Sequence, residues 1–185
     1  MNIDLLRTLG RVKKFNNGDF VCIENEEGHT AYLLLQGYVD ITLASFTDSN
    51  KKVAQLTPGT IFGEMSLLEN KPRNASVVAR KDDTLVLEIE KENFLSVLNT
   101  DKDVAWSLLC TLLARAEKII QGNNINQCKA LNGYHKNNFY IQLKHMTKEQ
   151  FESIIEHDGE HTLKILKFLS HALAEMNDEV IQKTL

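Results

Sequence analysis

Two prolines and nine glycines among 185 residues are too few for a collagen-like or low-complexity chain. Three cysteines, Cys22, Cys110 and Cys128, stand at unrelated spacings, which excludes a disulfide framework and points to reduced thiols rather than metal ligands. No apolar run approaches the roughly 20 residues that cross a bilayer. The N-terminal stretch MNIDLLRTLGRVKKF lacks the continuous apolar core of a secretory signal, so the expectation is a cytoplasmic protein with no membrane partner. Positive charge is also scarce: 21 Lys and Arg against 25 Asp and Glu leave a net charge of -4, which supplies no field to gather nucleic acid. What the chain does have is 43% hydrophobic and 25% charged residues, a balance that excludes a disordered acidic chain. At this length a fold buries roughly 70% of the surface its unfolded form exposes, and one domain with an appendage fits best.

Residues 11–90 are punctuated every eight to twelve positions by turn-forming clusters, among them Asn16-Asn17-Gly18-Asp19, Glu26-Glu27-Gly28 and Thr57-Pro58-Gly59. Between them, Tyr38 to Leu43 and Thr84 to Ile89 alternate strong apolar residues with polar or weaker ones, the period of a strand with one buried face. Many short strands at regular spacing predict a sandwich or barrel. Met1 to Leu9 carries Ile3, Leu5, Leu6 and Leu9 at helical intervals and predicts a short helix packed on the barrel.

After the strands the period changes. Glu92 to Leu98 reads as a short helix, and Thr100-Asp101-Lys102-Asp103 has the form of a capping-box variant. Val104, Ala105, Leu108, Leu109, Leu112, Leu113, Ala116, Ile119 and Ile120 then make one broad stripe. Such a stripe is core packing, or in part a dimer seam or the lid of a pocket. Gly122 to Gln127 reads as a helix stop, the run to about His145 as irregular, Thr147-Lys148-Glu149-Gln150 as a capping box, and about His161 to Gln182 as a last helix.

The stretch from Ile61 to Ala79 carries the chemistry. A β-rich run ends at Gly63, a short helix begins near Glu64, a loop turns at Lys71-Pro72, and a strand resumes after Arg73. Glycine permits close backbone approach, a helix start presents free N–H groups, and arginine adds a bidentate fork, a combination suited to phosphate. Glu64 beside an anion is out of place unless its carboxylate accepts from a sugar hydroxyl while the arginine takes the phosphate. A ribose bearing a closed phosphodiester matches that pairing. The bland alternative is an arginine bridging Glu69 or Glu64 in a barrel without ligand.

The run Phe62-Gly63-Glu64, an aliphatic and a small residue, Leu67-Leu68, a short loop, then Pro72-Arg73-Asn74-Ala75-Ser76-Val77 closely resembles the phosphate-binding cassette of cyclic-nucleotide-binding domains. That family includes the catabolite activator protein and the regulatory subunits of cyclic-AMP-dependent kinase. Gly18, Gly28, Gly37 and Gly59 fall at the family's turn glycines, Phe94 at its helix-borne phenylalanine, and the helix after Asp101 at its lid and dimer helix. The resemblance covers about residues 10 to 121. It implies a mixed β+α fold: a jelly-roll (double-stranded β-helix) barrel with a short N-terminal helix, a long lid or dimer helix and a C-terminal helical extension. The corresponding division is 1–121 for the nucleotide-binding domain, 122–146 for a linker and irregular region, and 147–185 for the extension.

The resemblance further implies that Arg73 pairs with the cyclic phosphate, that Glu64 accepts from the ribose 2'-hydroxyl, and that backbone N–H groups at Gly63, Met65 or Ser66, and Asn74 complete the cradle. Asn74 stands where the family carries alanine, serine or threonine, and Ile119 and Ile120 stand where lid residues contact the base. Neither selects a purine, so the ligand is cyclic AMP or cyclic GMP, with cyclic AMP ranked first. The implied function is a receptor module that turns ligand binding into a lid-helix movement signalled to an effector or to a second subunit paired through the 101–121 helix. The alternatives are a constitutive interaction scaffold with a vestigial pocket and, ranked below it, a transcription regulator with a divergent DNA-binding region.

Lys129, Lys136, Lys144 and Lys148 are scattered, and the final helix carries Glu175, Asp178 and Glu179, a poor surface for meeting phosphates. DNA is therefore not an expected partner. His157 and His161 stand four apart, but Gly159 interrupts the helix a zinc site would need, so no metal is expected. With no nucleophile elbow or nucleotide triphosphate loop, neither enzyme activity nor a cofactor is expected.

Overall fold

The computed structural model describes residues 8–43, 51–122, 138–156 and 159–184, with the side chains of Lys51, Gly159 and 179–184 left aside. Two compact units divide between Val97 and Leu98.

The first unit is built from eight strands: β1 (Gly10–Phe15), β2 (Phe20–Cys22), β3 (Thr30–Gln36), β4 (Val39–Leu43), β5 (Lys51–Leu56), β6 (Ile61–Phe62), β7 (Ser76–Ala79) and β8 (Thr84–Glu90). They pair antiparallel in two four-stranded sheets, ordered β1-β8-β3-β6 and β2-β7-β4-β5. The barrel is the jelly roll implied by the resemblance. Its interior is filled from both sheets: Tyr32, Leu34, Phe62 and Val86 from one, Val21, Val39 and Val77 from the other, with Phe15, Cys22, Ile41 and Leu56 partly buried against them. Residues two apart on a strand share a face, which is why Tyr32 and Leu34 of β3 point inward together.

One expectation about a strand is corrected. The alternation in 84–89 predicts a single buried face, whereas Val86 fills the barrel interior and Leu87 and Ile89 are also buried. Val86 and Leu87 are adjacent and so point to opposite faces, which makes β8 a strand buried on both, and such a strand needs apolar residues in both registers.

Helix α1 (Glu64–Glu69) interrupts the strands between β6 and β7, and packs on β3 with Leu67 and Leu68 buried. Helix α2 (Lys91–Thr100) follows β8 directly and carries Phe94, fully buried. Of the expected N-terminal helix only Thr8 and Leu9, both helical, fall within the described residues.

The second unit is helical. Helix α3 (Lys102–Gly122) starts where the sequence places it: the Asp101 carboxylate accepts from Val104 N at 3.0 Å, satisfying a backbone donor that the helix leaves open. Its buried residues are Val104, Ala105, Leu108, Leu109, Leu112, Ala116 and Ile120. Helix α4 (Asn138–Lys144) is unanticipated, since the sequence leaves this run irregular. Only Tyr140 and Leu143 of it are buried, while Phe139 and Ile141 are exposed, so its periodicity is masked. Tyr140 Oη donates to Glu117 Oε1 at 3.0 Å, and Lys144 pairs with the same oxygen at 3.1 Å, tying α4 to α3. Burial, reinforced by Glu117, raises the Tyr140 phenol pKa.

Helix α5 (Lys148–Ile155) opens with a complete capping box: Gln150 N donates to Thr147 Oγ1, and Thr147 N donates to Gln150 Oε1. Helix α6 (Gly159–Thr184) begins slightly earlier than the sequence suggests and packs along α3. His157 and Asp158 lie outside the described residues.

Candidate functional site

Everything at the cassette turns on the join between β6 and α1. Gly63 has φ 73° and ψ 1°, a left-handed conformation that side chains disfavour. A Cβ there would also stand 2.8 Å from Arg73 Nη1 and 3.1 Å from Tyr32 Cδ2. Glycine is thus required twice, by backbone geometry and by the arginine beside it. Glu64 is the first residue of α1 and is 1% exposed. Met65 is half-buried and Ser66 is buried.

After Asn70, itself left-handed at φ 55°, the chain turns back through Lys71 and Pro72. Two backbone bonds close this turn, with Asn70 N and Lys71 N both donating to Ser66 O. Lys91 Nζ donates to Asn70 Oδ1 at 2.8 Å, and Lys71 pairs with Glu69 at 2.9 Å. The next residue, Arg73, is pinned by its backbone to the β2–β3 connection: Arg73 N donates to Glu26 O at 2.8 Å and Asn25 N donates to Arg73 O at 2.9 Å.

The Arg73 side chain is 5% exposed and turned inward. Nη1 donates to Gly63 O at 2.7 Å, and Nη2 donates to Thr30 O at 2.7 Å and to Thr30 Oγ1 at 3.1 Å. Its Cζ lies 5.4 Å from the centroid of the Tyr32 ring, within cation–π range. Every hydrogen-bond partner is a neutral oxygen. Among the described residues no carboxylate forms an ion pair with this guanidinium, and Glu69, one of the two bridging partners considered from the sequence, pairs with Lys71. A buried cation without a counter-ion is costly, and the site as it stands is therefore poised to take an anion.

Gly28 supplies the remaining wall. Its backbone φ is not left-handed, yet a Cβ would stand 2.6 Å from Ser66 Cβ and 3.1 Å from both Nε and Cζ of Arg73. Gly28 is glycine because the β2–β3 connection presses against the arginine and α1. A surface depression of about 290 Å³ opens at this place, lined by Glu27, Gly28, His29, Ser66, Asn70, Lys71 and Pro72.

The structure thus brings Gly63, Glu64, Met65, Ser66 and Arg73 together around one turn. Asn74 is exposed, next to Arg73. Ile119 and Ile120 belong to α3 in the helical unit, the first half-buried and the second buried. Sequence reasoning missed Thr30 and Tyr32, and read Gly28 only as a turn. Thr30 and Tyr32 share a strand face by their spacing, but only the fold places residue 73 against them.

Residues 12–101 match the family model described as the cyclic nucleotide-binding domain. The chain is 30% identical over 94 residues, 50% of its length, to cGMP-dependent protein kinase 2 of Homo sapiens, covering 12% of that kinase. It is 32% identical over 113 residues to the cyclic AMP receptor protein of Thermus thermophilus, covering 61% of this chain and 51% of the relative. The match therefore spans no more than about half the length of either relative. Among solved structures, a transcriptional regulator from Thermotoga maritima superposes with a TM-score of 0.52 at 25% identity, covering 56% of this chain and 81% of the regulator.

Proposed function

We propose that the chain is a cyclic-nucleotide receptor module whose ligand is held at the β6–α1 turn. In this reading the cyclic phosphate meets Arg73, and Glu64 accepts a hydrogen bond from the ribose 2'-hydroxyl. Backbone N–H groups at Gly63, Met65 or Ser66, and Asn74 complete the contact. Glu64 keeps its role as a hydroxyl acceptor, and the arginine supplies the countercharge that makes an anionic ligand welcome beside a carboxylate. Cyclic AMP is the first candidate and cyclic GMP the second, since nothing at Asn74 or on α3 selects a purine.

The observation that carries the proposal is Arg73 itself: a buried guanidinium bonded only to neutral oxygens, following directly on Pro72 at the edge of a surface depression lined by Gly28, Ser66 and Pro72. A structural ion pair would account for a buried arginine without any ligand, and among the described residues none is made. Signalling follows if the ligand has different affinities for two positions of α3, because only differential affinity moves an equilibrium. The α4–α6 helices, which pack with α3, then carry the change to an effector.

Isothermal titration of the folded chain with cyclic AMP and with cyclic GMP tests the proposal. Saturable binding of at least one is expected. Absence of binding by both, in a sample with a cooperative thermal transition, sinks it in favour of a scaffold with a vestigial pocket.

A further inference from the structure

The geometry points to Thr30 as a positioning residue for the ligand-binding arginine, anchored in turn by Tyr32. This inference rests on the receptor reading above and adds to it the device that aims Arg73. The hydrogen bonds run in one direction: Arg73 Nη2 donates to Thr30 Oγ1 at 3.1 Å, and Thr30 Oγ1 donates to Tyr32 Oη at 2.9 Å. A hydroxyl that both accepts and donates is polarised by the guanidinium, which strengthens both bonds. The Tyr32 ring supplies the second constraint by lying beneath the guanidinium.

A guanidinium has five N–H donors. Nη2 spends both of its own on Thr30, and Nη1 spends one on Gly63 O. The donors left for a phosphate are the Nε–H and the second N–H of Nη1. Nε faces the place where Gly28 lacks a side chain, since a Cβ there would stand only 3.1 Å from it. Thr30 therefore does more than hold the arginine still. By occupying Nη2 it leaves the ligand the Nε–H and the second N–H of Nη1.

Thr30→Val keeps the shape of the side chain and removes the relay. In the full chain we expect its affinity for cyclic AMP to fall roughly tenfold, since the lost hydrogen bond involves a charged group. Thr30→Ser, which restores the hydroxyl, brings affinity back to within about twofold of the natural chain. In an Arg73→Lys background, Thr30→Val has no further effect, because its action passes through the guanidinium.

An unchanged affinity in Thr30→Val, or an equal drop in the Arg73→Lys background, overturns the proposal. If Thr30→Val does not fold, Tyr32→Phe replaces it, keeping the ring and removing the anchoring hydroxyl. An affinity equal to that of the natural chain then overturns the relay. A natural chain that binds neither cyclic AMP nor cyclic GMP refutes the receptor reading itself. A natural chain that binds, with Thr30→Val unaffected, refutes only the positioning role.

Discussion

The Arg73 guanidinium sits 5.4 Å from the centroid of the Tyr32 ring, and Tyr32 stacks in turn on Phe62 with centroids 5.2 Å apart. A charged group at the β6–α1 turn is thus continuous with the apolar filling of the barrel. Such a side chain is oriented before any ligand arrives, so little entropy is lost in ordering it on binding. Arg73→Ala should weaken cyclic nucleotide binding by about 2–5 kcal/mol through loss of the charge partner. Titration calorimetry of both chains checks this, and equal affinities would remove Arg73 from the site.

Gly28 and Gly59 separate two uses of glycine. A Cβ at Gly28 meets Ser66 and Arg73, whereas at Gly59 it meets nothing within 4 Å but would impose a side chain on φ 89°. Gly28→Ala is expected to cost about 1–3 kcal/mol by overpacking and to weaken cyclic AMP binding. Gly59→Ala should cost stability through backbone strain and leave affinity alone. Paired thermal melts and titrations distinguish the two, and identical affinities in both variants would count against Gly28 as a wall of the site.

Acid should weaken the barrel through Asp40. This buried carboxylate on β4 accepts from Arg80 Nε at 3.0 Å and Gln55 Nε2 at 3.1 Å, and pairs with Lys52 at 2.7 Å. Burial pushes its pKa up, but the bonds from Lys52, Gln55 and Arg80 outweigh burial and hold it below the ordinary value. A carboxyl group lower in the folded than in the unfolded state stabilises above its unfolded pKa, and loses that contribution as pH falls through the folded one. Stability should accordingly decline below about pH 4, and Asp40→Asn should decline less. At neutral pH the substitution should cost about 1–2 kcal/mol, a range reduced because Lys52 is half exposed to screening solvent. Urea unfolding at pH 7 and pH 3 measures both, and equal acid sensitivity in the two chains would dismiss Asp40 as the cause.

The broad stripe of α3 is compatible with a core, a seam or a lid. In the helical unit α6 packs along α3 and contributes buried Ile165, Leu166, Leu169, Leu173 and Met176. With that cover supplied by the chain itself, we expect a monomer in sedimentation at tens of micromolar. A dimer would mean that partly exposed positions such as Leu113 and Ile119 meet between copies.

Local signals were legible wherever one stretch of chain settles its own conformation. Thr147 and Gln150 specify a capping box because both partners lie within one turn, and Gly63 before Glu64 marks a strand passing into a helix. The cassette was readable for the same reason, its glycine, glutamate and arginine lying within eleven residues. Helix α4 was not, because only Tyr140 and Leu143 are buried and the exposed apolar Phe139 and Ile141 mask their three-residue spacing.

Composition and local spacing alone give few glycines and prolines and a net charge of -4, with Arg73 in one short run after Gly63 and Glu64. Only the tertiary structure decided what those residues touch. Gly28 is glycine because Ser66 and Arg73 crowd it from 38 and 45 positions away. Among the described residues Arg73 has no ionic partner, because the fold surrounds it with the carbonyls of Gly63 and Thr30, and spacing along a chain carries no record of which distant oxygen will face a buried charge.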